Sequence, residues 1–272
     1  MTTNHNIEQF KTTIWNYYRE HGRTFAWRHE PDPYKIVVSE IMLQQTQTHR
    51  IALRYPQFIH RFPTFESLAQ APLQEVLLHW QGLGYNRRGK YLHDIAKKVV
   101  TEYNGILPNN PSILKTFPGL GPATAASICA FAFNAPTVFI ETNIRAVYIH
   151  FFFNQRNDVH DKELIPLIEQ TIDQERPREW YYALMDYGVM LKKTIGNPSR
   201  KSAHHTKQSR FEGSDRQIRG MILKLLTRVP QLRIDELYDF IQKEPDRIDK
   251  ALDQLSQEKM VKKHDDFYLI NE

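Results

Sequence analysis

FPGLGPATAASICAFAF, residues Phe117 to Phe133, reads as a tight turn feeding a helix of small apolar residues. A short segment, Ser112–Phe117, leads into Pro-Gly-Leu-Gly, and the next helix begins at Pro122. Glycines in the turn permit positive φ and close approach by another backbone. The N-terminus of the following helix aims unpaired N–H groups outward, which makes a place for an anion. A DNA phosphate would fit there with no readout of sequence. An isolated PGLG also serves as an ordinary helix–helix connection, so its surroundings carry the reading.

Those surroundings are helical almost throughout. Ile7, Phe10, Ile14 and Tyr17 recur at three and four residues, as do Ile36, Val37, Ile41 and Leu43, and later Leu68, Val76, Leu77 and Trp80. Prolines and glycines such as Pro31, Pro63, Pro72, Gly82, Gly105 and Pro136 separate short helices. No pair of alternating apolar runs precedes the C-terminal end, so an all-α chain is expected. Between Lys192 and Ser214 the composition turns polar and basic, which reads as a linker or loop. Beyond it, helical spacing returns at Ile218, Ile222 and Leu225, then Ile234, Leu237 and Ile241, then Ile248, Leu252 and Leu255. The closing KMVKKHDDFYLI reads as a hairpin turning at His264–Asp266. Three helices and a small hairpin make a winged-helix pattern, used both to touch nucleic acid and simply to pack.

Composition excludes several classes. With 272 residues and 41% hydrophobic content, the chain has room for two domains and a real core, and it is not a disordered polymer. Lys and Arg number 36 against 31 acids, a net charge of +5 that suits a polyanion without demanding one. The single cysteine, Cys129, lies in an apolar helical run and reads as a packing residue; it allows neither an internal disulfide nor a multi-cysteine metal site. No apolar stretch approaches the ~18 residues of a membrane span. No signal pattern stands at the N-terminus, and a reducing, cytoplasmic setting is expected.

Two further stretches carry chemistry. SEIMLQQTQT, Ser39 to Thr48, sets one carboxylate, Glu40, on an apolar helix face, with Gln44, Gln45 and Gln47 close behind. The glutamines suit hydrogen bonds to base edges, and the neighbours Ile41, Met42 and Leu43 suit partial burial of an acid that moves a proton. GLGYNRRGKYLH, Gly82 to His93, presents Tyr85 at the tip of a glycine turn, with Arg87, Arg88 and Lys90 beside it. An aromatic tip can enter a base stack, and a glutamine can fill the gap left by a displaced nucleotide. Equally, Tyr85 could cap the core under the turn, and the cations could form a solvated helix face.

Together these three stretches resemble the helix-hairpin-helix DNA glycosylases, most closely the MutY-type branch that removes adenine mispaired with 8-oxoguanine. The resemblance covers roughly residues 25–189. It implies an all-α, two-domain helix-hairpin-helix glycosylase fold, with a winged-helix-like domain appended at residues 214–272. One helical domain takes residues 1–24 and 136–191, a second takes 25–135 with the hairpin near 112–128, and 192–213 is a basic linker. It implies Glu40 as the acid that protonates adenine and then activates water. Breaking an N-glycosidic bond also needs fixed negative charge beside a sugar with oxocarbenium character. The family places an aspartate for this; VFIETNIRAV has Glu141 there, with Asn143 two residues on. The extra methylene moves the charge by about an ångström, enough to cost on the order of 10²-fold in rate. Trp27 and Arg28 match residues at the mouth of the base pocket, and Asp186 matches a carboxylate aimed at adenine's exocyclic amine. Pro118, Gly119, Gly121 and Ala123 match the phosphate clamp, and Tyr85, Gln44, Gln45, Gln47, Arg87 and Arg88 the DNA surface.

The departures matter as much. Bifunctional relatives carry a lysine nucleophile in the hairpin helix where this chain has Ala123, so a monofunctional enzyme is expected. Most members bind an iron–sulfur cluster through four cysteines after the helix holding Asp186; Leu191 to Phe211 has none, so no cofactor and no metal are expected. Adenine glycosylases of this type carry a large C-terminal domain that reads 8-oxoguanine, whereas the residues after Gly213 show helical spacing. The implied partner is double-stranded DNA, with no membrane, engaged by a monomer. Two alternatives stay open: the same scaffold acting on a mismatched pyrimidine or deaminated purine, and a non-catalytic sensor of distorted duplex.

Overall fold

The computed structural model describes residues 4–206 and 210–272. Residues 1–3 of the first expected helical domain and 207–209 of the expected linker lie outside them. Among the described residues there are fourteen α-helices and a single small sheet, the all-α class that the spacing predicts. The chain divides into two compact units. One holds Met1–Ile36, Asn109–Thr116 and Leu120–Lys207; the other holds Val37–Pro108, Phe117–Gly119 and Gln208–Glu272.

The first unit contains α1 (Asn4–His21), the start of α2 (Pro33–Leu43), the hairpin helices α7 (Pro111–Leu114) and α8 (Pro122–Phe133), then α9 (Thr142–Phe152), α10 (Asp161–Thr171) and α11 (Pro177–Thr194). Aromatic residues bind α1, α9 and α11 together. Phe10 on α1 meets Tyr148 and Phe151 of α9 at 5.3 and 5.0 Å between ring centroids, and Trp180 of α11 at 5.9 Å. Tilted and edge-on pairs of this kind each contribute about 0.5–1.5 kcal/mol beyond their buried area. Helix ends are written in the sequence. Asn110 caps α7 by accepting from the Ser112 N–H at 2.8 Å, with Pro111 at the first helical position. Asn134 ends α8 in the left-handed conformation.

The stretch expected as a basic linker is more ordered than its composition indicates. Helix α11 runs on to Thr194, and a 3-10 turn follows at Pro198–Lys201. Val159 donates its N–H to Lys201 O at 3.0 Å, and Ala203 donates back to Val159 O at 3.0 Å. Backbone pairing, which leaves no mark in side-chain composition, fastens this segment to its own unit.

The second unit contains the rest of α2, then α3 (Thr48–Arg61), α4 (Phe65–Gln70), α5 (Leu73–Trp80) and α6 (Arg87–Tyr103). The C-terminal segment supplies α12 (Asp215–Leu226), β1 (Leu232–Arg233), α13 (Ile234–Ile241), α14 (Pro245–Gln257), β2 (Val261–His264) and β3 (Phe267–Ile270). Its sheet is antiparallel in the order β1-β3-β2, a winged-helix arrangement, with the hairpin turn where the sequence places it. The tail does not stand apart. Leu73 and Leu77 of α5 enter one buried cluster with Ile218, Ile222, Leu226, Leu237, Leu252 and Leu255. The Glu272 carboxylate accepts from the Leu73 N–H at 2.7 Å, placing negative charge at the N-terminus of α5.

Candidate functional site

In the first unit, Glu141 is the N-cap of α9. Its Oε1 accepts from the N–H groups of Asn143 and Ile144 at 2.7 and 3.0 Å. Oε2 accepts from Asn143 Nδ2 at 3.2 Å, and Asn143 Oδ1 in turn accepts from Lys192 Nζ at 2.7 Å. Burial pushes the Glu141 carboxyl up; the capping amides, Asn143 and the Lys192 charge pull it back. Burial likewise pushes Lys192 down, against the pull of Glu141. A desolvated carboxylate held at a helix N-terminus is a localised negative charge, the property needed beside a developing cation.

Gly188 makes this arrangement possible. A Cβ built there would lie 2.6 Å from the Asn143 carbonyl oxygen and 2.7 Å from its Cβ. Any other residue at 188 would force α11 away from the first turn of α9, and Lys192 away from Asn143. Sequence reading missed Gly188 and Lys192. The trace was there: a lone glycine inside the helical run DYGVM marks a close backbone approach.

Asp186, two residues before Gly188 on α11, is placed differently from its expected role. It is 2% exposed, and both of its oxygens are engaged. Arg28 donates from Nη1 and Nη2 at 2.7 Å each, and Arg23 donates from Nε at 2.6 Å and from its backbone N–H at 2.8 Å. Four donors fill the acceptor capacity of one carboxylate, so none remains for the amino group of a base. Arg28 is itself buried, with its guanidinium over the rings of Phe25 and Tyr182 at 5.2 and 4.6 Å. Trp27 is buried too, stacked on Phe25 at 4.8 Å. These expected pocket residues therefore form an internal clamp tying the η-turn at Ala26–Arg28 to α11.

The second unit carries Glu40, part-buried in the last turns of α2 between Ser39 and Ile41, both buried. Arg88 fastens the segment that follows. Its Nη1 donates to Ile41 O at 2.8 Å and Met42 O at 3.0 Å, and also to Gln44 O. Its Nη2 donates to Thr46 Oγ1, Leu83 O and Gly84 O at 2.9, 3.0 and 3.1 Å. Only 7% of Arg88 is exposed, and burial lowers its pKa to about 10. It is not available to a phosphate. Instead it joins the QQTQ segment to the GLGY turn, with a cation at the C-terminal carbonyls of α2 where the helix dipole favours one.

The tips of the two segments that Arg88 joins are exposed. Gln45 and Gln47 face solvent, Gln45 with a left-handed φ of 54°. Tyr85 sits at the tip of the turn with φ of 47°, next to Gly84 at φ of 72°. Arg87 pairs with Glu258 at the end of α14. In the hairpin, Gly119 has φ of 71° and its Cα lies against the Tyr91 ring, leaving no room for a side chain. Gly121 departs from the expected positive φ: it is extended, at φ of −79°, and caps α8 with open space where a Cβ would point. Gly119, Gly121 and Ala123 are all exposed, and Pro118 is part-buried. The residues present do not fit a cysteine-bound cluster, since the one thiol, Cys129, is buried in α8 and its pKa is raised to about 11 by that burial.

Residues 38–171 match the family described as HhH-GPD superfamily base excision DNA repair protein. The chain is 36% identical over 184 residues to an adenine DNA glycosylase of Buchnera aphidicola, covering 67% of this chain and 52% of that relative. It is 30% identical over 265 residues to an adenine DNA glycosylase of Mycolicibacterium smegmatis, covering 88% of each. Among solved structures, a thermostable thymine-DNA glycosylase superposes with a TM-score of 0.62 at 26% identity, over 70% of this chain and 89% of that one. The chain spans about half the Buchnera relative's length. By these likenesses the chain belongs to the HhH-GPD superfamily of base excision DNA repair proteins, in the adenine DNA glycosylase branch.

Proposed function

We propose that the protein is a monofunctional DNA glycosylase that extrudes a mispaired base, adenine in the first instance, and hydrolyses its N-glycosidic bond. Glu40 gives its proton to a ring nitrogen of the base, and the electrons of the C1′–N bond leave with that base. The charge on Glu141 stabilises the oxocarbenium character left on the sugar. Glu40, now ionised, takes a proton from water as the water oxygen bonds to C1′, leaving an abasic site and a free base. Ala123 offers no amine for a Schiff base, so no strand-nicking step follows. Gly119, Gly121 and Ala123 present the α8 N-terminus to a phosphate, while Tyr85, Gln45 and Gln47 enter the duplex. The protein works as a monomer on double-stranded DNA, wherever in the cell that DNA lies, and needs no metal or cluster.

The observation that carries this reading is Glu141: a part-buried carboxylate that caps α9, held by two backbone amides and Asn143, at the position of the family's anionic stabiliser. The resemblance to a thymine-DNA glycosylase structure supports a second reading, release of a mismatched pyrimidine. Saturation of Asp186 favours that alternative, because it removes the acceptor expected for adenine's amine.

The test is a panel of duplexes, each with one mismatch or lesion, incubated with the protein and then treated with alkali. Breaks at adenine opposite 8-oxoguanine or guanine, seen only after alkali, are expected. Glu40→Gln should lower the single-turnover rate by about 10²–10⁴-fold. Release of thymine or uracil, with adenine untouched, selects the second reading. Binding with no release from any duplex makes the protein a sensor of distortion.

A further inference from the structure

The proposed wedge is gripped by the C-terminal module. Two guanidinium groups lie close to the Tyr85 ring, with Arg88 Cζ at 5.5 Å from its centroid and Arg216 Cζ at 5.4 Å. Arg216, in the first turn of α12, also donates from Nη1 to the Tyr85 hydroxyl at 2.6 Å. A second tie lies two residues along the chain. Arg87 pairs with Glu258, and Glu258 accepts from Arg219, one turn after Arg216 on α12, at 2.5 Å. Both side chains flanking Asn86 are therefore held by the winged-helix tail.

Tyr85 has reason to be held. A non-glycine residue in the left-handed region is strained, and Gly84 beside it has positive φ as well. An aromatic tip on such a turn would sample many orientations and lose that freedom on entering a base stack. A ring fixed beforehand by a hydroxyl bond and by two neighbouring cations loses less.

We propose that Arg216 is a positioning residue for the wedge: the tail sets the attitude of Tyr85 before DNA arrives. This rests on the reading of Tyr85 as the intercalating side chain. Arg216 acts through that ring, and its effect should vanish when the ring is removed.

A double-mutant cycle on the full chain tests it, using duplex with 2-aminopurine beside the target base to report unstacking. The variants are Arg216→Gln, Arg216→Lys, Tyr85→Ala and the Tyr85→Ala/Arg216→Gln double, each checked for an unchanged Tm. Arg216→Gln should slow single-turnover excision on the order of tenfold and reduce the 2-aminopurine signal. It should add nothing in the Tyr85→Ala background, and Arg216→Lys should recover part of the loss. Equal losses with and without Tyr85 would overturn the proposal and make Arg216 a direct DNA contact. Faster excision in Arg216→Gln would overturn it too, and make the tail a brake. If Tyr85→Ala itself changes neither signal nor rate, the wedge reading fails and the inference falls with it. A damaging Tyr85→Ala with no effect of Arg216→Gln sinks the inference alone.

Discussion

Asp186 and Glu141 belong to the same unit, on α11 and at the head of α9, the first buried and the second part-buried. Asp186 faces two guanidinium groups and accepts four hydrogen bonds. Glu141 accepts two backbone amides and one amide side chain, with the Lys192 cation one residue removed behind Asn143. The first is neutralised where it stands and holds parts of the fold together. The second keeps an incompletely compensated charge. Burial alone would not mark a charge-stabilising carboxylate; what would distinguish it is the acceptor capacity that its neighbours leave unfilled.

The strongest way to break this contrast is Asp186→Asn. If Asp186 is a structural anchor, the substitution leaves Arg28 buried beside Arg23 without an anion, at a cost of about 3–5 kcal/mol. Thermal denaturation should show a large fall in Tm, with the excision rate per folded molecule little changed. A normal Tm with altered base preference would return Asp186 to the base pocket. Next in size is Glu141→Gln. The amide oxygen can still cap α9, so the fold should persist, while excision drops by about 10²–10³-fold through lost charge stabilisation. Stability should move the other way. Because the folded state raises the Glu141 pKa, it holds a proton that the unfolded chain has released, so ionising this group costs the fold as pH rises through its folded value. Glu141→Gln should remove that loss, read as a smaller decline of Tm from acid to neutral pH than in the native chain.

Lys192→Met is the finest probe. The Lys192 charge pulls the Glu141 carboxyl down, so its removal should move the acid limb of the rate–pH profile to higher pH. The plateau above that limb should change only a few-fold, since Lys192 touches Asn143 rather than the carboxylate. An unmoved limb would mean that ionised Glu141 is not what the reaction requires.

Much of this was legible in the residues. The hairpin and the winged-helix tail follow from local spacing and turn chemistry; the reading of Glu141 in VFIETN comes from the family resemblance, and its capping of α9 shows only in the structure. Asp186 was not legible, because its partners Arg23 and Arg28 lie more than 150 residues away in the chain. Arg88 was read as a surface cation because Arg87 and Arg88 look equivalent in NRRGK. The helical period separates them: Arg88 shares the buried face of Leu92, Ile95 and Val99, whereas Arg87 lies outside it. Strand β1 escaped because two residues are too few to show alternation. The linker stretch was misjudged because backbone bonds, not apolar side chains, secure it.

Leu73 and Leu77 lend one side of α5 to the interior of the winged-helix tail, and Glu272 returns to cap that same helix. The appendage is thus co-owned by a helix encoded some 140 residues earlier, between Leu73 and Trp80. Grafting it onto another glycosylase would require transplanting this stripe of α5 along with it, and a chimera lacking the stripe would carry two mismatched oily faces.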